Sequence, residues 1–402
     1  MPFEKAFIPY DGYWSTPFCR WQGNFAHFHA MMFAAEVCKG ALPPRGMSPE
    51  IFDGIILGMT IPQKNCFYGA PWMAGMIGAG RITGSTISQA CATSAKCIAY
   101  ASEDIELGNN ENILIVTCDR TSNGPHIYYP NPLGIGGTGD KEDWVWDNFG
   151  YDPYAKNAMI ETAENVASEA RISREEQDEV ALLRYNQYQE ALKDNSAFLN
   201  RFMVVPIDVK DPSGRKVVAT VRGDEGVFPT TAEGLARLRA VLEGGTVTYG
   251  TQTYPADGNA SIVVTTREKA SELSRDRNVE IQILSYAEAR AKRGYMAMSI
   301  VPAARRALSS AGIGIKDIEA IKTHTPFAVN DVYFCREMGI KWEDMNNYGC
   351  SLVWGHPQGP TGARLIIELI EELVIKGGGY GLFDGCAAGD TAASVVLKVD
   401  MK

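Results

Sequence analysis

"TGARLIIELIEELVIKGGGYGLFDGC" (Thr361–Cys386) reads as a strong helix, a glycine stop and a strand. The same order stands earlier in the chain. Ser94–Leu107 reads as a helix, Gly108 ends it, and "NILIVTCD" (Asn112–Asp119), rich in β-branched residues, reads as the next strand. Placing Gly108 on Gly377 lays helix end on helix end and strand on strand. Cys118 then falls within one residue of Cys386. "FDGIILGMT" (Phe52–Thr60) reads as a buried strand, and "IEAIKTHTPF" (Ile318–Phe327) begins as one. The chain therefore predicts an internal duplication: two similar α/β halves, each a sheet with crossover helices.

The halves are expected at 1–270 and 271–402. Thr121–Val247 reads as a cap inserted into the first. Its early part is rich in Gly, Pro, Tyr and Trp, and "ISREEQDEVALLRYNQYQEALKD" (Ile172–Asp194) reads as a charged amphipathic helix. "LGIGGTGD" (Leu133–Asp140) neither follows a strand nor opens a helix, so it reads as a flexible loop rather than a dinucleotide fingerprint.

A formal net charge of −10 argues against general nucleic-acid binding, which needs a basic surface. The Lys and Arg residues of the cap offer at most a local patch for phosphate. No apolar run approaches the ~20 residues that span a bilayer. "MPFEKAFIPYDGYW" lacks a basic n-region and an apolar h-region, which predicts a cytoplasmic protein. Nine cysteines, an odd count without a CxxC pair, predict reduced core thiols with a minority doing chemistry, and no metal site. His27 and His29, two apart in a helical pattern, are expected to point to different faces.

"SQACATSAKCIAY" (Ser88–Tyr100) sets Cys91 among small residues just before the first helix. A helix N-terminus carries unpaired N–H groups and partial positive charge, and both favour a thiolate. The alternative is a buried structural cysteine. "GHPQGPTGAR" (Gly355–Arg364) places His356 in the loop leading into the second helix, the counterpart of the Cys91 loop. His324, in "THTPFAVND", follows a strand of the same half, and Cys386 follows the last long one. Either histidine alone reads as a satisfied polar residue. Four reactive side chains at strand ends of a duplicated fold can face one cavity.

With these residues the chain resembles the thiolase family across nearly its whole length. "CATSAK" sits where the family has its nucleophile box, and "TSNGP" follows the next strand as the family's SN-P does. "TAENVASEARISREEQDEVAL" is similar to the loop-domain text, and "DEGVFPTTAEGLARL" with "GTVTYGTQTYPADGNAS" to the second conserved region. "GHPQGPTGAR" matches the GHP-G-TGAR box. The resemblance implies a five-layer α/β/α/β/α thiolase fold with an inserted loop domain. It implies an acyltransferase that cleaves a 3-oxoacyl-CoA through an acyl-cysteine, with coenzyme A as substrate and no bound cofactor. Carried over, Cys91 is the nucleophile, His356 takes its proton, and Cys386 handles the α-carbon proton. The N–H groups of Cys91 and Ala388 form one oxyanion hole. "HTPF" puts His324 where most members have Asn in the second hole, as in the sterol-carrier-protein branch. Met159, Thr253 and Phe327 fall at acyl- and CoA-contacting positions, and Ala158 stands where many members have His.

The resemblance also implies at least a homodimer, and a small zinc- and OB-fold-bearing protein as a further partner. Tyr128, Tyr129, Trp144, Trp146, Phe149, Tyr151 and Tyr154 lie just before Met159. With the small Ala158 they suggest an aryl acyl group, and the text is most similar to thiolases that act on 2-benzoylsuccinyl-CoA. Acetoacetyl-CoA or a medium-chain 3-ketoacyl-CoA is the alternative. A decarboxylating ketoacyl synthase would use Cys91, His324 and His356 but have no need of Cys386. A non-catalytic scaffold subunit would have no need of Cys91, His356 and Cys386 together.

Overall fold

In the computed structural model, which describes residues 2–402, the framework elements in chain order are β1 (Phe7–Ile8), α1 (Ala30–Ala41), β2 (Gly54–Gly58), α2 (Gly69–Ile77), β3 (Thr83–Ile87), α3 (Thr93–Leu107), β4 (Asn112–Arg120), α4 (Met159–Ala170), α5 (Arg174–Ala191), β5 (Ala256–Thr265), β6 (Val279–Arg290), α6 (Ile300–Ala311), β7 (Ile318–His324), α7 (Ala328–Met338), α8 (Gln358–Lys376), β8 (Gly379–Ala387) and β9 (Thr391–Met401). The run β2–α2–β3–α3–β4, then β5, is answered by β7, α8, β8 and β9. Strands β2, β3 and β4 pair in parallel, as do β7 and β8, while β5 runs antiparallel to β4 and β9 to β8. Strands β4, β5 and β8 are buried almost throughout, which is why they read as continuous apolar runs rather than alternating ones.

Sequence leads one to expect a separate mixed sheet in each half. Instead the short β1 pairs with both β5 and β6, and stitches the halves into one hydrogen-bonded sheet of order β7-β8-β9-β6-β1-β5-β4-β2-β3. The five layers survive this. Helices α1 and α2 cover the outer face of the first half, through Met31, Ala34, Met73 and Ile77 against Leu57, Leu114 and Val116. Helices α3 and α8 lie side by side between the two halves, and α6 covers the far face against β6 and β9.

Burial on all sides sets a problem for α8, because its sequence carries Arg364, Glu368, Glu371 and Glu372, all of them buried. Each is paired. Arg364 forks onto Asp224 at 2.6 and 2.7 Å and reaches Glu368 at 3.0 Å. Glu371 accepts from Tyr13 and Arg201, and Lys322 of β7 faces Glu368 and Glu372. Desolvated charges are tolerable only when paired in this way.

The segment between β4 and β5 holds two hairpins, helices α4 and α5, and loops that close over the strand ends. Asp224 lies in it, so the Arg364 fork fastens this segment to the central helix, with the guanidinium also 4.2 Å from the Trp354 ring centroid. Two local expectations are corrected here. Gly139 and Asp140 of "LGIGGTGD" are not loop but open the strand Gly139–Asp143, which pairs with His126–Pro130. His27 and His29 precede α1 in turns rather than lying in a helix, and each ring meets a backbone carbonyl, of Lys210 and Lys64. The second central helix also begins three residues before Thr361, because Pro360 in its first turn has no N–H to leave unpaired.

Asp224→Ala takes the fork from the buried Arg364 guanidinium, leaving it Glu368, and removes the acceptor for Phe18 N–H and Tyr188 O–H. Denaturant titration should show a loss of about 3–5 kcal/mol, the usual result of breaking a buried pair. A loss under about 1 kcal/mol would mean that the fork does not hold the cap.

Candidate active site

Cys91 and His356 each stand two residues before a central helix, α3 and α8, so the duplication brings their loops together. The Cys91 Sγ lies 3.1 Å from Nε2 of His356. Ala90 has φ of +44°, a left-handed conformation that costs a residue with a Cβ of order 1 kcal/mol. That turn swings Cys91 out of the chain's path before the helix begins. The sequence offers no sign of it, because Ala is not a residue that advertises positive φ.

The two halves are gripped at this point by Asp119, at the end of β4. Its buried carboxylate accepts from Thr60 N–H (2.8 Å), Thr60 O–H (2.7 Å), Ile61 N–H (3.0 Å) and, across the pseudo-repeat, Gly359 N–H in the first turn of α8 (2.6 Å). Burial pushes the carboxyl up to about 6, against the pull of these donors. Ser94 of α3 also donates to the Gly359 carbonyl. A Cβ on Gly362 would sit 3.1 Å from that of Ser94, so the glycine lets the two helices close up.

His356 has its tautomer fixed by its neighbours. Thr361 donates its hydroxyl proton to the Pro357 carbonyl at 2.6 Å, so its oxygen is left to accept from Nδ1–H of His356 at 2.7 Å. The Nε2 lone pair therefore faces Cys91, as a base requires. Burial drives His356 down to about 3 and Cys91 up to about 12, although the N–H groups of Ala388 and of Cys91 itself favour the thiolate. Desolvation outweighs the helix N-terminus that the sequence points to. The resting pair is thiol and imidazole, uncharged.

Cys386, fully buried at the end of β8, is pushed well above the usual thiol range by burial and by the neighbouring Cys91. Asn330 of α7 donates to its sulfur at 3.2 Å. Asn330 is a residue the motif reading passed over, because only the tertiary fold brings it to Cys386. His324 stacks on His356 with ring centroids 4.0 Å apart, and the donor atoms of Cys91, His324 and His356 lie within 4.8 Å of one another. Its segment is held by Asp331, which accepts from Thr323, Thr325 and, out of the cap, Arg184. Cys91, His356 and Cys386 thus face one cavity, while His324 is packed against the His356 ring and does not itself line that space, contrary to the expectation that all four would face it.

A cavity of about 500 Å³ opens onto Cys91, His356, Cys386 and Ala388. Met159, Thr253 and Phe327 line it. Of the cap aromatics, Trp144, Trp146 and Phe149 line it too, with the Trp144 indole N–H anchored on the Thr60 carbonyl at 3.0 Å. The tyrosines do not. Tyr128 and Tyr129 stand half-exposed on the hairpin, Tyr151 is exposed, and Tyr154 lies under Arg290 and Arg293. Ala158 precedes α4 and is not part of the wall, so its small size does not enlarge the cavity. Among the described residues no Arg or Lys lines this space, and no helix is long and apolar enough to cross a membrane.

Comparison with known proteins agrees with this geometry. Residues 13–268 match the family model for the thiolase N-terminal domain, and residues 278–399 that for the thiolase C-terminal domain. The chain belongs to the thiolase family of acyltransferases. It is 27% identical over 389 residues to the human mitochondrial 3-ketoacyl-CoA thiolase, covering 95% of this chain and 96% of that one. It is 28% identical over 393 residues to an acetyl-CoA acetyltransferase of Syntrophomonas wolfei, with 95% and 96% covered. The solved structure of the human mitochondrial 3-ketoacyl-CoA thiolase in complex with CoA superimposes with a TM-score of 0.88 at 26% identity, over 99% of both chains.

The uncharged resting pair has a pH consequence. With the Cys91 thiol held at about 12, the thiolate fraction keeps rising through the neutral and mildly alkaline range. Iodoacetamide labelling of the Cys91 peptide should therefore accelerate roughly ten-fold per pH unit between about pH 7 and 10, while buried Cys386 stays unlabelled. Cys66, the other half-exposed thiol, reports general access. A plateau below about pH 8 would show a preformed thiolate–imidazolium pair instead.

Proposed function

We propose that this protein cleaves a 3-oxoacyl-CoA by thiolysis, with Cys91 as nucleophile, His356 as its base and Cys386 as the acid/base at the α-carbon. The observation that carries this reading is the 3.1 Å contact between Cys91 Sγ and the lone-pair nitrogen of His356, with a second thiol on the same cavity.

Cys91 gives its proton to Nε2 of His356, and its sulfur attacks the 3-oxo carbon. The bond between C2 and C3 breaks, leaving an acyl group on Cys91 and an enolate on the departing acyl-CoA. Cys386 protonates that enolate and becomes a thiolate. Incoming CoA gives its thiol proton to Cys386, and its sulfur displaces the acyl group. Cys91 then recovers its proton from His356. Developing negative oxygen is met by the N–H groups of Cys91 and Ala388 in one step, and by His324 in the other. Loss of one such donor typically costs ~10²–10³ in rate. Charge appears only during the reaction, inside a site whose burial strengthens every such interaction.

For the acyl group we infer an aryl substituent, supported by Trp144, Trp146 and Phe149 on the cavity wall. The finer reading is 2-benzoylsuccinyl-CoA, cleaved to benzoyl-CoA and succinyl-CoA. Its free carboxylate would be met by amide donors such as Asn148 or Gln252, since no Arg or Lys among the described residues lines the wall. Thr253 and Met159 would flank the CoA thioester arm. A homodimer is the inferred assembly. Strand β3 ends the sheet with one row of backbone groups unpaired and a largely exposed surface, a ready template for a second copy. A small zinc- and OB-fold-bearing protein is the inferred further partner, on the family resemblance alone.

The test is a panel of CoA with 2-benzoylsuccinyl-CoA, acetoacetyl-CoA and a medium-chain 3-ketoacyl-CoA, with and without such a small partner. The aryl substrate should show the highest kcat/KM. If acetoacetyl-CoA is cleaved far faster in both settings, the aryl reading falls and thiolysis stands.

A further inference from the structure

We infer that Ser351 is a positioning residue that locks His324 in the tautomer bearing its proton on Nε2, and thereby turns a histidine into an oxyanion donor. The inference rests on the placement of His324 in an oxyanion hole under the proposed function, and deepens it.

Ser351 opens the short helix Ser351–Trp354 and is fully buried. Its Oγ has two partners. The backbone N–H of Thr325 points at it from 3.2 Å, and that group can only donate. The second partner is Nδ1 of His324, at 2.8 Å. The hydroxyl proton has one acceptor among these contacts, and it is Nδ1. The opposite arrangement, with Nδ1–H donating to Oγ, would leave the buried hydroxyl proton with no acceptor, which is unfavourable. It would also put a lone pair rather than a proton on Nε2. With Ser351 donating, the proton of the neutral ring sits on Nε2.

Nε2 of His324 is itself buried and has no partner among the described residues. The His324 ring belongs to the cluster with Cys91 and His356. An N–H held there without an internal acceptor is what a developing oxyanion requires, since it exchanges no existing bond at the moment of reaction. His324 is kept neutral by burial and by the adjacent His356, so the tautomer decides whether it donates or repels.

The two histidines are thus set in opposite senses by two hydroxyls. Thr361 spends its proton on the Pro357 carbonyl and makes its histidine a base toward Cys91. Ser351 has no such carbonyl partner among the described residues and makes its histidine a donor. An Asn at position 324 would present an N–H without any tautomer to choose. A histidine there needs the serine.

Two measurements test this. Ring-¹⁵N spectra of histidine-labelled protein carry only five histidines, so His324 can be assigned by its loss in His324→Asn. Wild type should show His324 as the Nε2–H form over pH 6 to 8, and Ser351→Ala should show a mixture of the two forms. In kinetics, Ser351→Ala should lower kcat on the order of ten-fold, the equilibrium worth of one buried hydrogen bond, with KM little changed. The losses should not add: Ser351→Ala combined with His324→Asn should be no slower than His324→Asn alone. An Nδ1–H form in wild type, or a full further loss in the double variant, overturns the role of Ser351 while leaving His324 in the site. If His324→Ala leaves kcat unchanged, the placement of His324 in an oxyanion hole fails instead.

Discussion

The carboxylate of Asp119 is the constraint on which this active site depends. It lies at the end of a strand in the first half and holds the first turn of the central helix of the second half by the Gly359 N–H. The same carboxylate ties down the loop after β2 through Thr60 and Ile61. An anion at a helix N-terminus is favourable, and here it is buried among four donors. Ser94 of α3 donates to the carbonyl of that same Gly359, so the loops of Cys91 and His356 are drawn together at one turn. Their separation of 3.1 Å is therefore a property of the joint between two duplicated halves, not of either loop.

Desolvation shapes the electrostatics built on that joint. Burial drives the titratable groups at the reaction centre toward their uncharged forms, Cys91 and Cys386 upward and both histidines downward. What distinguishes the groups is hydrogen-bond polarity rather than resting charge. Thr361 orients one imidazole to accept, and Asn330 gives the second thiol a donor that favours its thiolate. A site arranged in this way reorganises little as charge develops, because its dipoles are fixed before substrate arrives. The same burial has to be supported structurally, and the paired charges along α8 do that from beneath, with Asp224 and Arg184 tying in the cap.

Much of this was legible in the sequence, for physical reasons. Strands buried on both faces and helices ended by glycine leave strong patterns, so the duplication could be read by laying Gly108 on Gly377. Cys91, His356 and Cys386 were legible because each sits at a fixed offset from a patterned element. His324 was legible as a departure within a motif. Ala90, Ser351, Thr361 and Asn330 were not, because each acts through a partner distant in sequence or through a backbone angle that its residue type does not signal. The cap aromatics show the limit of adjacency. Trp144, Trp146 and Phe149 reach the cavity, whereas Tyr128 and Tyr129 are carried off on a hairpin and Tyr154 is claimed by two arginines.

The direct measurement is peptide mass mapping of the protein after brief incubation with benzoyl-CoA and, separately, acetyl-CoA, quenched in acid. A nucleophilic Cys91 predicts an acyl thioester on the Cys91 peptide alone, discharged on adding free CoA and strongly slowed by His356→Asn. An acyl group on another cysteine, or no thioester from either donor, would contradict the pairing of Cys91 with His356 as nucleophile and base.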